Sequence, residues 1–146
     1  NVKIELMYGL CDNKSSFVTA MVNKMINNEL EIDLTKGEQK RDFVYIDDVL
    51  RAYKVIIDKL SDINPVFNEF EIGSGEVISI KKFIELIHEL TKSKSILNFG
   101  ALPYRKYETM HSSVDLTRIK ELGWKPKESL KEGLLKIIEM EEIGRK

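Results

Sequence analysis

The chain has 146 residues, with 42% apolar and 32% charged residues, which is typical of one globular domain rather than a disordered protein. Its 23 Lys and Arg are nearly cancelled by 24 Asp and Glu, and a net charge of −1 argues against a broadly cationic nucleic-acid-binding protein. No apolar run approaches the roughly 20 residues of a membrane span, and the single Cys11 excludes an internal disulfide or a multi-cysteine zinc site. We therefore expect no nucleic-acid partner, no membrane insertion and a reducing, cytoplasmic location.

Strand and helix patterns alternate along the chain. Period-two patterns and short apolar runs predict strands at residues 2–7, 31–35, 43–46, 67–72 and 96–99, with a turn at Pro65. Apolar residues at helical spacing predict helices over residues 16–27, 48–60, 80–90, 115–122 and 130–141. Residues 100–114 have no clear period and are predicted to form a structured loop.

Polar residues at the helix starts are the predicted N-caps. They are Ser15 or Ser16, Asp47, Ser79, Asp115 and Ser129, the last in a capping box with Glu132. The alternation as a whole predicts an α/β or α+β fold in one piece, and the loops that follow strands are where α/β proteins place ligands.

The stretch from Lys36 to Asp48 joins a basic loop to a short strand and then to a helix. Arg41 at the strand edge is suited to present its planar guanidinium to a phosphate or carboxylate. Asp42 beside it is expected to hold that guanidinium in place. The residues alone leave open the alternative of a solvated charged hairpin without a ligand.

A second candidate arginine, Arg105, lies in the irregular loop between Tyr104 and Tyr107 and follows Pro103 closely. Aromatic neighbours favour an ordered guanidinium that can join another arginine on one diphosphate. The alternative is a surface arginine stacked on a tyrosine.

Other candidate chemistries are disfavoured by their sequence context. Gly73-Ser74-Gly75 lies between a strand and a helix but lacks both common phosphate-loop fingerprints, so we interpret it as a tight turn. His88 and His111 have no second ligand at metal-binding spacing, and Cys11 has no recognisable histidine partner. Asp47-Asp48 is better explained by helix capping than by acid–base catalysis. These residues alone predict an anion-binding α/β domain.

Five segments, in order, resemble motifs of the extended short-chain dehydrogenase/reductases. More narrowly, they are similar to the NAD(P)-dependent nucleotide-sugar epimerases, dehydratases and reductases. The segments are residues 7–9 (MYG), 39–49 (QKRDFVYIDDV), 71–75 (EIGSG), 122–126 (LGWKP) and 129–134 (SLKEGL). Residues 34–39 and 101–105 look most like members that act on CDP- or dTDP-linked deoxysugars.

The resemblance implies the C-terminal portion of a Rossmann-type epimerase fold, an α/β arrangement of short strands with packed helices. Residues 1–146 would be the substrate-binding domain plus the last Rossmann strands, at residues 2–7 and 67–72. The chain is then expected to begin in mid-fold, without the dinucleotide-binding half that carries the glycine-rich loop and the catalytic Tyr-x-x-x-Lys pair. It implies no catalytic residue here, NAD or NADP in the intact parent enzyme, and no cofactor bound tightly by this chain.

The resemblance also implies the substrate contacts, with a nucleotide-diphosphate sugar as the partner. Arg41 and Arg105 match the two arginines that bind the substrate diphosphate. Phe17 matches an apolar residue that lines the nucleotide site, and Leu34 and Lys36 match a short strand that touches the base.

The chain has a second possible function besides being the substrate-binding part of an enzyme. It would then be a non-catalytic module that kept the fold and binds a simple anion or a protein. In addition, absence of the dinucleotide half is expected to uncover apolar surface around residues 2–7 and 67–84, which would promote self-association.

Overall fold

The computed structural model describes residues 1–62 and 68–144 and shows short strands with packed helices. The strands are β1 (Val2–Ile4), β2 (Leu6–Tyr8), β3 (Glu31–Leu34), β4 (Lys40–Tyr45), β5 (Phe70–Ile72), β6 (Val77–Ser79) and β7 (Ile96–Phe99). The helices are α1 (Phe17–Ile26), α2 (Ile46–Asp58), α3 (Ile80–Thr91), α4 (Thr117–Glu121) and α5 (Leu130–Ile143), with a 3-10 turn at Leu60–Asp62. The predicted turn at Pro65 and the predicted strand start at Phe67 lie outside the described residues. Within the described part of the chain, every helix is too short or too polar to cross a bilayer.

Within residues 1–62 and 68–144 the strands form three small sheets. β1 pairs with β5 in parallel, and β3 pairs with β7 in parallel. The third sheet has the order β2-β4-β6, parallel between β2 and β4 and antiparallel between β4 and β6. Parallel neighbours require crossover connections, which the intervening helices supply.

The single strand predicted over residues 2–7 is wrong in one respect, because the chain changes sheet in the middle of it. Glu5 separates β1 from β2, and its amide donates to the Ile72 carbonyl at 3.0 Å. Its carboxylate accepts from the Ser112 hydroxyl, with oxygen separations of 2.7 and 2.8 Å. The alternation of apolar and polar residues continues through Glu5, so the sequence pattern does not show that β1 and β2 pair with different strands.

The strand predicted to begin at Phe43 in fact begins at Lys40, because β6 provides an antiparallel partner that was not predicted. Arg41 lies opposite Ile78 in that ladder. The following helix begins at Ile46, with Tyr45 at the N-cap and no side-chain capping bond. Asp47 therefore lies in the first turn of α2, and its predicted capping role is wrong.

The four other predicted caps have different outcomes. The Ser79 and Ser129 caps are confirmed, the latter with the complete capping box that includes Glu132. Ser16 occupies the N-cap of α1, but its hydroxyl makes no capping bond. Asp115 accepts from the Thr117 amide at 2.9 Å, although Leu116 holds the N-cap position of α4.

The core has two parts on either side of β4. The larger part lies among α1, α3 and α5, where the rings of Phe43 and Phe83 stack with centroids 4.0 Å apart. Tyr8 is buried there, and desolvation raises the pKa of its hydroxyl, which donates to the Leu130 carbonyl at 3.3 Å. The smaller part joins the β1–β5 pair to α2 and α4 and includes Trp124.

We expected exposed apolar surface around residues 2–7 and 67–84. The structure shows it in the first two strands, but the expectation is wrong for most of residues 68–84, the part of the second segment that the structure describes. In β1 and β2 the side chains of Ile4, Leu6 and Met7 are exposed. In the later segment Val77 is exposed, but helices of this chain cover the larger apolar residues. The buried residues there are Phe70, Ile72, Ile80, Phe83 and Ile84.

Candidate functional site

Four of the five predicted site residues line one open cleft of about 520 Å³. The cleft lies between the start of α1, the end of β3, the strand β4 and the loop at residues 100–108. Phe17, Leu34, Arg41 and Arg105 contribute to its walls, together with Glu108. The structure therefore brings both candidate arginines to the same surface, although they are far apart in sequence.

Arg41 extends from β4 into this cleft and is largely covered, with 13% of its side chain exposed. Its Nη1 donates to the Lys40 carbonyl and its Nη2 donates to Glu108 Oε1, both at 2.8 Å. The prediction that Asp42 holds this guanidinium is wrong. Successive side chains of a strand point to opposite faces, so Asp42 and Arg41 lie on different sides of β4.

Asp42 instead holds the turn at Gly73-Ser74-Gly75. Its fully buried carboxylate accepts from the Ser74 amide at 2.7 Å, the Ser74 hydroxyl at 2.6 Å and the Gly75 amide at 2.8 Å. A Cβ on Gly73 would lie 2.7 Å from Asp42 Oδ2, and Gly75 has a φ of +79°. The segment is thus a tight turn, as predicted, and these amides already bind a carboxylate.

Arg105 lies on the exposed loop at residues 100–108, and the described residues provide no hydrogen bond, ion pair or ring contact for its side chain. The predicted support from flanking tyrosines is not observed: Lys106, rather than Arg105, lies over the Tyr107 ring, at 5.4 Å. Tyr104 instead fastens the loop to the segment that precedes β4. Its hydroxyl accepts from the Glu38 amide at 3.0 Å and lies 3.2 Å from the Glu38 carboxylate.

The apolar wall comes from Phe17 and Leu34. Phe17 is the first residue of α1; the residue is 41% exposed, and its ring stacks on that of Phe83 with centroids 5.8 Å apart. Leu34 is buried at the end of β3, and its carbonyl accepts from the amides of Gly100 and Leu102, both at 3.0 Å. These bonds tie the loop that carries Arg105 to the strand.

Lys36 is the predicted site residue that does not line the cleft. It is exposed, and its aliphatic stem lies beside Gly100, 3.7 Å from where a Cβ of that glycine would stand.

Glu108 and Gln39 are among the cleft residues that were not predicted from the sequence. Glu108 supplies the carboxylate that pairs with Arg41, and Gln39 places a buried amide in the cleft wall. Gln39 precedes Arg41 by two positions, but it lies before the first residue of β4, so strand periodicity did not identify it. Glu108 had no sequence signal, since its irregular loop has no period.

Asp48 has a structural role that the capping interpretation missed. Its buried carboxylate accepts from the Lys127 and Glu128 amides, each at 2.9 Å, and from Arg51 at 2.6 Å. Its carbonyl accepts from Trp124 Nε1 at 3.1 Å. This residue therefore fastens the segment after α4 to α2.

A larger cavity of about 610 Å³ lies near the starts of α3 and α5 and contains none of the predicted site residues. Its lining combines three lysines with the carboxylates of Glu76 and Glu128, whereas the cleft combines two arginines with Asp33 and Glu108. The cleft is the candidate site because it brings together both predicted arginines and an exposed aromatic side chain, and not because of its net charge.

Comparisons with known proteins agree with this architecture. Residues 1–73 match the family model described as the NAD dependent epimerase/dehydratase family. The CDP-abequose synthase of Salmonella muenchen is 37% identical over 142 residues, which are 97% of this chain and 47% of that protein. The dTDP-4-dehydro-6-deoxyglucose reductase of Escherichia coli is 32% identical over 134 residues, covering 87% of this chain and 39% of that protein.

Among solved structures, the UDP-glucose 4-epimerase of Thermotoga maritima with UDP-glucose superposes with a TM-score of 0.83 at 30% identity. The superposition covers 99% of this chain and 46% of that one. The fold is thus that of part of a Rossmann-type epimerase, as the motifs predicted. The chain belongs to the NAD dependent epimerase/dehydratase family, and it spans about half the length of the relatives it matches.

Proposed function

We propose that this chain is the substrate-binding part of an NAD(P)-dependent nucleotide-sugar epimerase, dehydratase or reductase. The cleft takes a nucleotide-diphosphate sugar, with Arg41 and Arg105 on the diphosphate and Phe17 and Leu34 beside the nucleoside. The observation that carries the proposal is that both arginines line one cleft together with an exposed aromatic ring. The named activities of the relatives, which act on CDP-, dTDP- and UDP-linked sugars, support this substrate class.

The two guanidinium groups of the cleft can balance the roughly two negative charges of a diphosphate, although the carboxylates of Asp33 and Glu108 lie in the same lining and oppose an anion. Each charge-assisted hydrogen bond from a guanidinium contributes about 1.5–3 kcal/mol. Arg105 has no side-chain partner among the described residues, so it can bind an anion without losing an existing bond. Arg41 already holds Glu108, and a phosphate therefore has to share or replace that carboxylate.

In this proposal residues 1–146 combine a substrate-binding domain with the last strands of a Rossmann sheet, β1 and β5. NAD or NADP serves the intact enzyme and is held by a part of the enzyme outside the half that this chain matches. The glycine-rich turn of this chain does not fit a dinucleotide, because Asp42 occupies the Ser74 and Gly75 amides. The chain alone is therefore expected to bind no cofactor tightly and to catalyse no reaction.

One observation favours a second candidate, a non-catalytic module that binds a simple anion or a protein. The ion pair with Glu108 satisfies Arg41 without any ligand, as in an arginine with a purely structural role. The two candidates differ in whether the cleft distinguishes a nucleotide from a bare anion.

Calorimetric titration with UDP, CDP, dTDP and pyrophosphate separates the two candidates. The proposal predicts binding of at least one nucleotide more tightly than pyrophosphate, and a loss of about tenfold or more in each of Arg41→Ala and Arg105→Ala. Lys106→Ala is the matched control, because it removes a neighbouring cation outside the cleft, and affinity is expected to stay within about twofold. No heat at millimolar nucleotide, or unchanged affinity in the double arginine variant, would contradict the proposal.

A further inference from the structure

The position of Arg105 depends on the backbone of its loop, because its side chain has no contact of its own among the described residues. Tyr104 precedes it directly, and three residues later the Glu108 amide donates to the Arg105 carbonyl at 3.1 Å. The side chains of Tyr104 and Glu108 both bind other parts of the chain. The loop therefore has one attachment close to Arg105 on each side.

The attachment at Glu108 lies where the proposed ligand binds. Its carboxylate pairs with Arg41 Nη2 at 2.8 Å, and both side chains line the cleft. A phosphate that binds the Arg41 guanidinium competes with this carboxylate and repels it, so ligand binding weakens the attachment. Arg105 then loses its support on this side in the state in which it has to contact the diphosphate.

The attachment at Tyr104 involves neither arginine. The Tyr104 hydroxyl accepts from the Glu38 amide at 3.0 Å and donates to the Glu38 carboxylate at 3.2 Å. The backbone on either side of Glu38 is fixed, because the neighbouring carbonyls accept from two amides in the first turn of α3, both at 2.9 Å. Tyr104 and Glu38 are both outside the cleft lining, so a ligand in the cleft leaves this attachment intact.

We infer that Tyr104 is a positioning residue, whose hydroxyl keeps Arg105 at the cleft when a diphosphate takes the place of Glu108 on Arg41. The inference rests on the proposed function and extends it, since Tyr104 acts through Arg105 and does not touch the ligand. Pro103 supports the same role, because its ring fixes the backbone φ angle immediately before Tyr104 and so stiffens the loop at the attachment.

The test compares wild type with Tyr104→Phe by calorimetric titration with CDP and with pyrophosphate. The substitution keeps the ring and removes both hydrogen bonds of the hydroxyl, so affinity for each ligand is expected to fall about threefold to tenfold. Tyr107→Phe is the matched control, because it removes the same atom from the same loop. Tyr107 is 86% exposed and its hydroxyl has no hydrogen bond among the described residues, so affinity is expected to stay within about twofold.

A double-mutant cycle separates positioning from a general structural role. If Tyr104 acts through Arg105, Tyr104→Phe causes no further loss of affinity in an Arg105→Ala chain. A purely structural role would lower affinity by the same factor with and without Arg105.

NMR relaxation of the unliganded chain gives a second readout, in which Glu108→Ala stands in for displacement of the carboxylate by a ligand. The order parameter of the Arg105 amide is expected to stay near its wild-type value in Glu108→Ala. It is expected to fall when Glu108→Ala is combined with Tyr104→Phe, because both nearby attachments are then lost.

Equal losses in the two backgrounds of the cycle would overturn the inference, and so would an Arg105 amide that stays ordered in the combined variant. Binding that requires both arginines but is unchanged in Tyr104→Phe would refute this inference alone. If wild type binds neither ligand, the proposed function fails, and the inference fails with it.

Discussion

The guanidinium of Arg41 and the carboxylate of Glu108 form an ion pair at 2.8 Å inside the candidate cleft. Only 13% of the arginine side chain and 21% of the glutamate side chain are exposed, so solvent and salt screen this pair less than a surface pair. The cleft therefore contains an anion of its own beside the group that we propose binds a phosphate. An anion that binds in the cleft is attracted by the charge of Arg41 and repelled by the charge of Glu108.

Replacing Glu108 with Gln is expected to increase affinity for pyrophosphate. The variant keeps the size of the side chain and removes one negative charge close to the ligand. At a partly screened site this amounts to roughly threefold to tenfold tighter binding at low salt. Calorimetric titration with pyrophosphate at about 20 and about 200 mM salt measures this change in affinity. The Debye length falls by about a factor of three over that range, so the gain in affinity is expected to shrink at the higher salt concentration. Weaker binding in Glu108→Gln would show that the carboxylate supports the site rather than competing with the ligand.

Asp42→Asn is expected to destabilise the fold by about 2–4 kcal/mol. The Asp42 carboxylate accepts three hydrogen bonds from Ser74 and Gly75, whereas an amide has one oxygen and would direct an N–H group at a backbone N–H. The free energy of unfolding in urea measures the loss. Asp58→Asn is the control, because it removes an exposed ion pair with Lys54 and is expected to cost little. Similar small losses in both variants would contradict the role given to Asp42.

Gly133→Ala is expected to destabilise α5 although alanine is the better helix former. A Cβ at Gly133 would collide with the Tyr8 hydroxyl and lie 2.9 Å from the Tyr45 ring. Overpacking costs about 1–3 kcal/mol, which exceeds the helix-propensity gain of about 1 kcal/mol. Gly144→Ala is the matched control, since the nearest atom to its Cβ is 3.6 Å away. A Gly133→Ala chain as stable in urea as wild type would show that the two tyrosines can move apart.

We expect the chain to self-associate through its first two strands. Among the described residues β1 pairs on one side only, and Ile4, Leu6, Met7 and Leu10 are exposed on and after the first two strands. Such a patch favours contact with another apolar surface. Sedimentation at increasing protein concentration is expected to show a dimer that Met7→Glu weakens. Leu30→Glu is the control, because Leu30 is exposed elsewhere on the molecule. A monomer at every concentration would refute this prediction.

Local signals in the sequence predicted all five α-helices of the described residues and two of the caps, because spacing and capping residues act within one turn. The Ser129–Glu132 capping box is an example. Pairing between distant segments was harder to predict. Neither the step at Glu5 between two sheets nor the extension of β4 along β6 has a local signal, since both depend on partners far away in the chain.

Local signals also predicted some residues of the candidate cleft, whereas contacts between distant segments were missed. The motifs identified Phe17, Leu34, Arg41 and Arg105, which the fold brings to one surface. Adjacency in sequence misled the assignment of Asp42, because neighbours in a strand face opposite ways. Glu108 was missed because the loop that brings it to Arg41 has no periodic pattern.

A crystal structure of the chain with bound CDP or UDP would locate the diphosphate relative to the two arginines. We predict that the diphosphate lies within hydrogen-bonding distance of both the Arg41 and the Arg105 guanidinium groups, with the nucleoside beside Phe17. A nucleotide bound elsewhere, or a diphosphate in contact with neither arginine, would contradict the account.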